Sequence, residues 1–365
     1  MNYDAKGACA HFCLEGEVTY CERYGAGHIN DTYLVKTTAN GGKKQYILQR
    51  VNNTIFKDVP RLMNNIKLVT EFSRKVVEVR GGDADREAMT LIPAKDGKVF
   101  WTDGENYFRV YLFIEDSAAY QTAENPEIFY QSAVAFGRFA AMLADFDASE
   151  LYESIPRFHD TEKRFNDLLN AIEENKAGRK DTVKAEIEFA LARKDFTGRI
   201  VKKLASGEIP SRVTHNDTKL NNVLFDAKTG KALAVIDLDT IMAGSACYDF
   251  GDSIRFGCNT AAEDERDLSK VEFSLELFEV YAKGYLSELK GCLTESELEN
   301  LPIGAIMMTY ECGIRFLEDY LRGDVYFRTS RENHNLDRAR TQFKLVALME
   351  KALPQMHAII AKYAK

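Results

Sequence analysis

A short β-hairpin pattern interrupts a long helical stretch of this sequence, and it constrains the fold more than any other feature. Its two strand patterns, Val223-Leu-Phe and Ala232-Leu-Ala-Val-Ile236, flank a turn that ends in glycine. An antiparallel hairpin returns the chain to the end at which it started. We therefore expect Asp217 and Asn222, which precede the hairpin, to lie close to Asp237, which follows it.

The rest of the sequence separates into a β-rich first part and a helical second part. Strand patterns occur at 33–38, 45–50 and 107–114, and a helix is predicted from about 60 to 80. The helical pattern that begins at 127 continues with helices predicted at 182–205, 268–290, 296–322 and 336–362. The third of these opens with the capping box Thr294-x-x-Glu297. The length of 365 residues suits two lobes, so we predict an α+β fold with a β-rich lobe at 1–112 and a mainly α-helical lobe at 113–365.

The charge balance argues against nucleic acid and membrane surfaces as partners. The sequence has 48 Lys and Arg residues against 56 Asp and Glu residues, for a net charge of −8, and no long basic run. Its seven cysteines are scattered without a CxxC pair, as is typical of reduced thiols. No apolar run approaches the ~20 residues of a membrane span, and the first residues lack a signal-peptide pattern. We expect a cytoplasmic protein.

The residues around the hairpin are those that phosphoryl transfer requires. The segment from His215 to Asn222 has the form H-x-D-x-x-x-x-N, in which the aspartate is a base and the asparagine a magnesium ligand. Asp237 supplies a second oxygen ligand for Mg²⁺. Asp249-Phe-Gly spells a kinase metal motif but lies a dozen residues beyond the hairpin, so its position favours Asp237 as the ligand.

Several motifs together carry a family resemblance. They are Gly25-Ala-Gly-His-Ile-Asn-Asp-Thr-Tyr33, Tyr46-Ile-Leu-Gln-Arg-Val-Asn52, Thr214-His-Asn-Asp-Thr-Lys-Leu-Asn-Asn222, and Ile236-Asp-Leu-Asp-Thr240 with Asp249-Phe-Gly-Asp-Ser-Ile-Arg255. With them the chain resembles, over nearly its whole length, the aminoglycoside phosphotransferase and choline kinase superfamily, and within it most closely the N-acetylhexosamine 1-kinases. The resemblance implies a bilobal, protein-kinase-like fold that clamps ATP between its lobes. It also implies an ATP- and Mg²⁺-dependent transfer of the γ-phosphoryl group to the anomeric hydroxyl of N-acetylglucosamine or N-acetylgalactosamine.

The resemblance also implies roles for individual residues. Asp217 is the catalytic base, Asn222 and Asp237 are magnesium ligands, and His215 and Asp249 support the catalytic loop. The first lobe binds the nucleotide, with a glycine-containing turn over the phosphates and a segment near Tyr111 against the adenine. The nucleotide-binding candidates are Gly25, Ala26, Gly27, His28, Asn30, Thr32, Arg50, Tyr111 and Phe113.

The cation that binds the phosphates is left open by the sequence. The strand that carries a lysine in protein kinases ends here in Ile47-Leu-Gln-Arg50. Arg50 can pair with a phosphate, but a shift of one residue would place Gln49 inward and Arg50 on the opposite face. In that case Lys57 or Lys67 could be the cation, or Arg50 could be a surface residue.

The sequence also leaves the acceptor site undetermined. Glu311, Arg315 and Asp319 share one helix face, which either forms a solvated ion-pair ladder or lines the sugar pocket. Arg255 is a further candidate for sugar binding. The acceptor could instead be another sugar, a choline-type amino alcohol or an aminoglycoside, and a non-catalytic nucleotide-binding protein is the third hypothesis. The sequence does not fix the oligomeric state, although it is compatible with a monomer.

Overall fold

The structure is a computed structural model that describes residues 3–25, 29–39, 42–122 and 125–365. The chain divides into two compact units. The first comprises Met1–Ala119, Asp145–Pro156 and Val223–Met242, and the second comprises Tyr120–Ala144, Arg157–Asn222 and Ala243–Lys365. Each unit therefore consists of segments that are distant in sequence.

The helices are α1 Ala5–Ala8, α2 Val59–Val79, α3 Ala84–Glu87, α4 Pro126–Met142, α5 Thr161–Glu174, α6 Lys184–Leu191, α7 Arg199–Ser206, α8 Ala246–Gly257, α9 Leu275–Glu288, α10 Glu295–Arg322 and α11 His334–Tyr363. The strands are β1 Glu17–Arg23, β2 Asp31–Ala39, β3 Gly42–Val51, β4 Leu91–Ile92, β5 Trp101–Thr102, β6 Tyr107–Leu112, β7 Ser117–Ala118, β8 Arg212–Thr214, β9 Val223–Asp226, β10 Ala232–Val235 and β11 Met242–Gly244.

The first unit is built on an antiparallel sheet in the order β1-β2-β3-β6-β4, with β5 also paired to β6. Side chains alternate between the two faces of a strand. Leu48 and Val110 are on the face that packs against Cys9 and Phe12 near the start of the chain. The hairpin β9–β10 forms a second, three-stranded sheet with β7.

Helix α2 connects the three segments of the first unit through one side chain. Asp58 caps its N-terminus by accepting a hydrogen bond from the amide of Arg61. One turn later, Asn65 is completely buried. Its Nδ2 donates to the carbonyls of Tyr152 and Ile241 at 2.7 and 3.1 Å, and its Oδ1 accepts from the Tyr152 amide at 2.8 Å. Because these bonds satisfy buried backbone groups, Asn65 is a structural residue of the unit.

The second unit is mainly helical, with the long helices α10 and α11 in contact with each other and α8 packed against α10. The α8–α10 contact requires glycine, because a Cβ placed on Gly304 would lie 2.1 Å from the carbonyl oxygen of Cys247. This close approach fixes α8, which carries Asp249, against α10.

The predicted fold class is confirmed, with a sheet-based first part and a helical second part. The capping box is present, since Thr294 and Glu297 exchange hydrogen bonds between side chain and backbone. The single helix predicted at 182–205 is wrong: α6 and α7 are separated there, and α7 begins after Gly198, a poor helix former. The helix predicted from 268 starts only after Ser274, whose side chain caps it. Within the described ranges, no helix combines the length and apolar character that a membrane crossing would need.

Candidate active site

The segment between β8 and β9 gathers polar side chains around Asp217 in the second unit. The Nδ2 of Asn222 donates to the carbonyl oxygen of Asp217 at 2.8 Å and to its carboxylate Oδ2 at 3.2 Å. The ammonium of Lys219 lies 2.7 Å from the other carboxylate oxygen, Oδ1. The carboxylate remains partly accessible, with 28% of the side chain exposed. Asp217 is thus oriented by two neighbours while still open to a substrate.

Asp249, in the first turn of α8, holds the backbone of this loop. Its carboxylate accepts from the amides of His215 and Asn216, each at 2.8 Å, and its carbonyl accepts from the Thr218 hydroxyl at 2.6 Å. Burial raises the pKa of Asp249, although His215 and the two amide hydrogen bonds oppose that shift. These bonds hold Asn216 in the left-handed region, at φ 63°, which costs energy for a residue other than glycine.

His215 also contacts this loop through its buried ring. Its ring is completely buried, with the rings of Phe136 and Phe139 at centroid distances of 5.6 and 6.1 Å. Its Nδ1 accepts a hydrogen bond from the Asp217 amide at 3.3 Å. His215 is therefore bonded to the backbone of the loop.

Lys219 was not among the residues singled out from the sequence. Burial lowers the pKa of its ammonium, but the charge of Asp217 outweighs that effect and leaves the pKa raised. The residue therefore stays protonated and places a positive charge beside Asp217. Its position inside the Thr214–Asn222 motif, two residues after Asp217, could have indicated it in the sequence.

The candidate metal segment in the first unit follows β10. Val235 pairs with Val223 in the hairpin register, so Asp237 follows the strand end that lies opposite the start of β9. Asp237 itself is in the left-handed region, at φ 63°. Two residues later, Asp239 is buried and bonded to Arg109 and to the Nδ2 of Asn30, the latter at 2.5 Å. Asp239 therefore anchors this segment to the sheet.

Gln49 and Arg109 are paired in the register of β3 and β6 and lie on the same face of the sheet. The Arg109 guanidinium donates to the Oε1 of Gln49 at 2.9 and 2.8 Å, and the Nε2 of Gln49 donates to the Thr32 hydroxyl at 3.1 Å. Neither Arg109 nor Asp239 was predicted from the sequence as a site residue. Arg109 could have been noticed as the single arginine in the otherwise apolar strand pattern 107–114.

Arg50 has its side chain on the opposite face from Gln49, which is the second of the two arrangements left open above. Its Nε donates to Asp31 at 2.7 Å, and its guanidinium lies over the Tyr3 ring, 4.9 Å from the centroid. Burial raises the pKa of Asp31, but hydrogen bonds from Tyr3, Arg50 and Arg23 outweigh it and lower the pKa to about 2. Arg50 is thus engaged in a structural ion pair.

The nucleotide-binding candidates of the glycine turn lie partly inside the described ranges. Gly25 has a φ of +75°, which favours glycine, and the Tyr24 amide donates to the Thr32 carbonyl at 3.0 Å across the turn. Ala26, Gly27 and His28 lie outside the described residues. The Phe113 ring lies 6.1 Å from that of Tyr24, which brings the end of β6 to this turn, whereas the Tyr111 ring is buried in the sheet.

The three candidate acceptor-binding residues have different surroundings. Arg315 is half-buried beside the rings of Phe158, Tyr326 and Phe327, at 5.9, 5.9 and 5.5 Å from their centroids. Within the described part of the chain it forms no hydrogen bond or ion pair. Asp319 accepts from the amides of residues 325–327 and from the Nδ2 of Asn335, so it holds the loop that carries two of these rings. Arg255 is buried and bonded to Asp252 and Glu263.

The donor atoms available for a metal ion are hard oxygens. The Nδ2 of Asn222 donates to Asp217, which leaves its amide oxygen as the atom that could face a cation. Amide and carboxylate oxygens of this kind suit Mg²⁺, which takes only one or two protein carboxylates and completes its shell with water and phosphate. Among the described residues, no three His, Cys, Asp or Glu side chains lie together as a metal site. A zinc-type site is therefore not built from those residues.

Comparisons with known proteins concern the family and the fold. The model of a phosphotransferase enzyme family matches residues 21–282. Among solved structures, a microcompartment-associated aminopropanol kinase is 17% identical, with a TM-score of 0.59 and 97% and 98% of the two chains covered. Spectinomycin phosphotransferase in complex with ADP and spectinomycin is 13% identical, with a TM-score of 0.56 and 96% and 97% of the two chains covered. An aminoglycoside phosphotransferase from Alicyclobacillus acidocaldarius is 12% identical, with a TM-score of 0.57 and 98% of both chains covered. At these identities the structural likeness concerns the fold.

Proposed function

The chain belongs to the phosphotransferase enzyme family, and from that premise we propose that it transfers the γ-phosphoryl group of ATP to the anomeric hydroxyl of N-acetylglucosamine or N-acetylgalactosamine. The observation that carries the chemistry is the oriented carboxylate of Asp217, held between Lys219 and Asn222 in a loop fixed by Asp249. Phosphoryl transfer depends mainly on positioning and charge stabilisation, and this loop supplies both.

In the proposed reaction, Asp217 accepts the proton of the sugar hydroxyl as its oxygen forms a bond to the γ-phosphorus. The bond between that phosphorus and the β,γ-bridging oxygen breaks, and ADP departs with the electron pair. Lys219 holds the Asp217 carboxylate in place through its ion pair with Oδ1. Asn222 and Asp237 would hold Mg²⁺, which when bound neutralises charge on the phosphates.

The nucleotide is assigned to the first unit. The turn at Gly25, Asn30 and Thr32 would lie along the phosphates, with the end of β6 at Tyr111 and Phe113 near the adenine. Asn30 supports this assignment, because its side chain connects the turn to Asp239 and to the Asn52 amide. The role of Arg50 as the phosphate cation stays a prediction. In the structure its guanidinium is bonded to Asp31.

The acetamido sugar is favoured over cationic acceptors by the charge around Arg315. A choline-type or aminoglycoside cation would be repelled by the positive charge of Arg315, which lies beside three aromatic rings. A guanidinium can donate to hydroxyl and acetamido oxygens, and aromatic rings can stack on the apolar face of a pyranose. Phe158 also precedes His159, whose ring contacts the loop at Asn216, so this cluster adjoins the catalytic segment.

Phosphorus NMR tests the proposal most directly. The protein is incubated with ATP, Mg²⁺ and, in separate tubes, N-acetylglucosamine, N-acetylgalactosamine, galactose, choline and kanamycin. A proton-coupled sugar 1-phosphate doublet with an acetamido sugar is the expected result, and it should disappear with EDTA and return with Mg²⁺. Turnover with another acceptor alone would overturn the sugar assignment, and no turnover in any tube would overturn the enzymatic one.

Asp217→Asn tests the role of the base. We expect kcat to fall by about 10²–10⁴-fold while ADP binding, measured by calorimetry, persists. Asp181→Asn is the matched control, because that side chain is 85% exposed and lies on the surface of the second unit. Turnover of Asp217→Asn close to that of the control would exclude Asp217 as the base.

A further inference from the structure

A buried histidine and glutamate lie beside the catalytic loop in the second unit and contact each other directly. The side chains of His159 and Glu311 are 7% and 1% exposed, and the Nδ1 of the histidine is 2.9 Å from the Oε1 of the glutamate. The Thr161 hydroxyl donates to the other carboxylate oxygen, Oε2, at 2.6 Å. Both oxygens of Glu311 therefore act as acceptors for neighbouring groups.

The second ring nitrogen of His159 faces the loop itself. Its Nε2 is 3.4 Å from the carbonyl oxygen of Asn216. A carbonyl can only accept, so Nε2 must carry a hydrogen, and an ionised carboxylate can only accept, so Nδ1 must carry one as well. A ring with both hydrogens is an imidazolium. Burial raises the pKa of Glu311, but His159, Arg315 and Thr161 outweigh it and lower the pKa, which agrees with an ionised partner.

We propose that His159 is a positively charged positioning residue that fixes the peptide plane between Asn216 and Asp217. His159 binds the carbonyl oxygen of this peptide, and His215 accepts from its N–H at 3.3 Å. Because a peptide is planar, bonds at both ends determine its orientation. That orientation sets the direction in which the Asp217 side chain leaves the backbone.

Acidic side chains from two helices surround the ring. On α8, Asp249 and Asp252 both interact electrostatically with His159, and the Tyr248 ring lies 5.4 Å from it. On α10, Glu311 is the direct partner, and Arg315 one turn later acts on that carboxylate. On α8, Arg255 is paired with Asp252 at 3.0 Å. Three carboxylates therefore surround the ring, and two of them also interact with an arginine.

The kinetic consequence rests on the proposed function. When the ring loses a proton, it must give up either Glu311 or the Asn216 carbonyl, so kcat should fall on the alkaline side while the KM for MgATP stays constant. His159→Gln should lower kcat by about 10–100-fold, since small misplacements of a catalytic group have large effects. Glu311→Gln should move the alkaline limb of the kcat profile to lower pH. His357→Gln, on α11, is the matched control and should leave the profile unchanged.

The decisive experiment measures the ring directly, without substrate. Long-range ¹H–¹⁵N spectra of protein labelled at its six histidines, with His159→Gln used for assignment, should show both nitrogens of His159 protonated at pH 7.5. In Glu311→Gln the same ring should become a neutral tautomer. A neutral His159 in the wild-type protein would overturn the proposal, even if the enzyme is active. A charged ring in a protein that phosphorylates no acceptor would instead overturn the proposed function, so the two failures are distinguishable. A charged ring with unchanged kcat in a folded His159→Gln variant would also reject the positioning role.

Discussion

Replacing Arg109 by methionine tests the buried ion pair that anchors the segment after β10 to the sheet. The side chains of Arg109 and Asp239 are 1% and 6% exposed. Methionine has a similar length and leaves little cavity, but it leaves the carboxylate of Asp239 buried with only Asn30 as a bonded partner among the described residues. Loss of one member of a buried pair costs about 3–5 kcal/mol of unfolding free energy. The Oε1 of Gln49 also loses two donors, which favours the upper part of that range.

Arg50→Met is the matched control, because Arg50 belongs to the adjacent strand and also pairs with an aspartate. Its side chain and that of Asp31 are 25% and 19% exposed, so water compensates for part of the lost interaction. We expect a loss of at most about 1 kcal/mol. The two variants remove the same group from one sheet and differ mainly in burial.

Urea unfolding followed by tryptophan fluorescence measures both variants in the first unit. Trp101 is the one tryptophan of the chain, and it pairs in register with Phe108, next to Arg109. The double variant Arg109→Met/Asp239→Asn should recover part of the loss, because the uncompensated charge is then removed. Equal losses for Arg109→Met and Arg50→Met, or no recovery in the double variant, would refute the reasoning.

Three further predictions concern stability. Asn65→Ala should destabilise the first unit by about 2–4 kcal/mol in the same urea assay, because three buried backbone groups lose their partner, whereas the exposed neighbour Asn64→Ala should change it by less than about 0.5 kcal/mol. The pKa of Asp31 is lowered in the folded state to about 2 from its ordinary value of 3.8, so its stabilisation is present above pH 4 and lost as the pH falls toward 2; unfolding curves of wild type and Asp31→Asn should converge over that window, and a constant difference would contradict the assignment. Gly304→Ala should lower the thermal midpoint of the helical signal in circular dichroism, since its Cβ would overlap Cys247 and cost about 1–3 kcal/mol, and an unchanged midpoint would show that α8 and α10 are not in close contact.

Local patterns predicted the elements of this fold well. The helix from Val59, the hairpin at 223–235 and the capping box at Thr294 each follow from signals within a few residues of one another. The broken helix at 182–205 shows the limit of periodicity, because the apolar spacing continues across Gly198 while the backbone does not. Such breaks depend on propensity and packing together.

Contacts between distant segments could not be predicted in the same way. Arg109 and Asp239 are 130 residues apart, and His159 and Glu311 are 152 apart. Each pair requires the tertiary fold to bring it together. The sequence spacing of Arg315 and Asp319 also does not show that the two side chains have different partners. Asp319 accepts hydrogen bonds from backbone amides, while Arg315 faces aromatic rings.

The discontinuous first unit has a consequence for biosynthesis. Asn65 reaches its final partner at Ile241, which is 176 residues later in the chain. At a translation rate of about 5–20 residues per second, helix α2 waits roughly 10–35 s on the ribosome before that carbonyl has been synthesised. During this interval the nascent sheet lacks its closing segment, so the chain should depend on chaperones until residue 242 emerges, and a stop codon placed after residue 112 should yield an unfolded fragment.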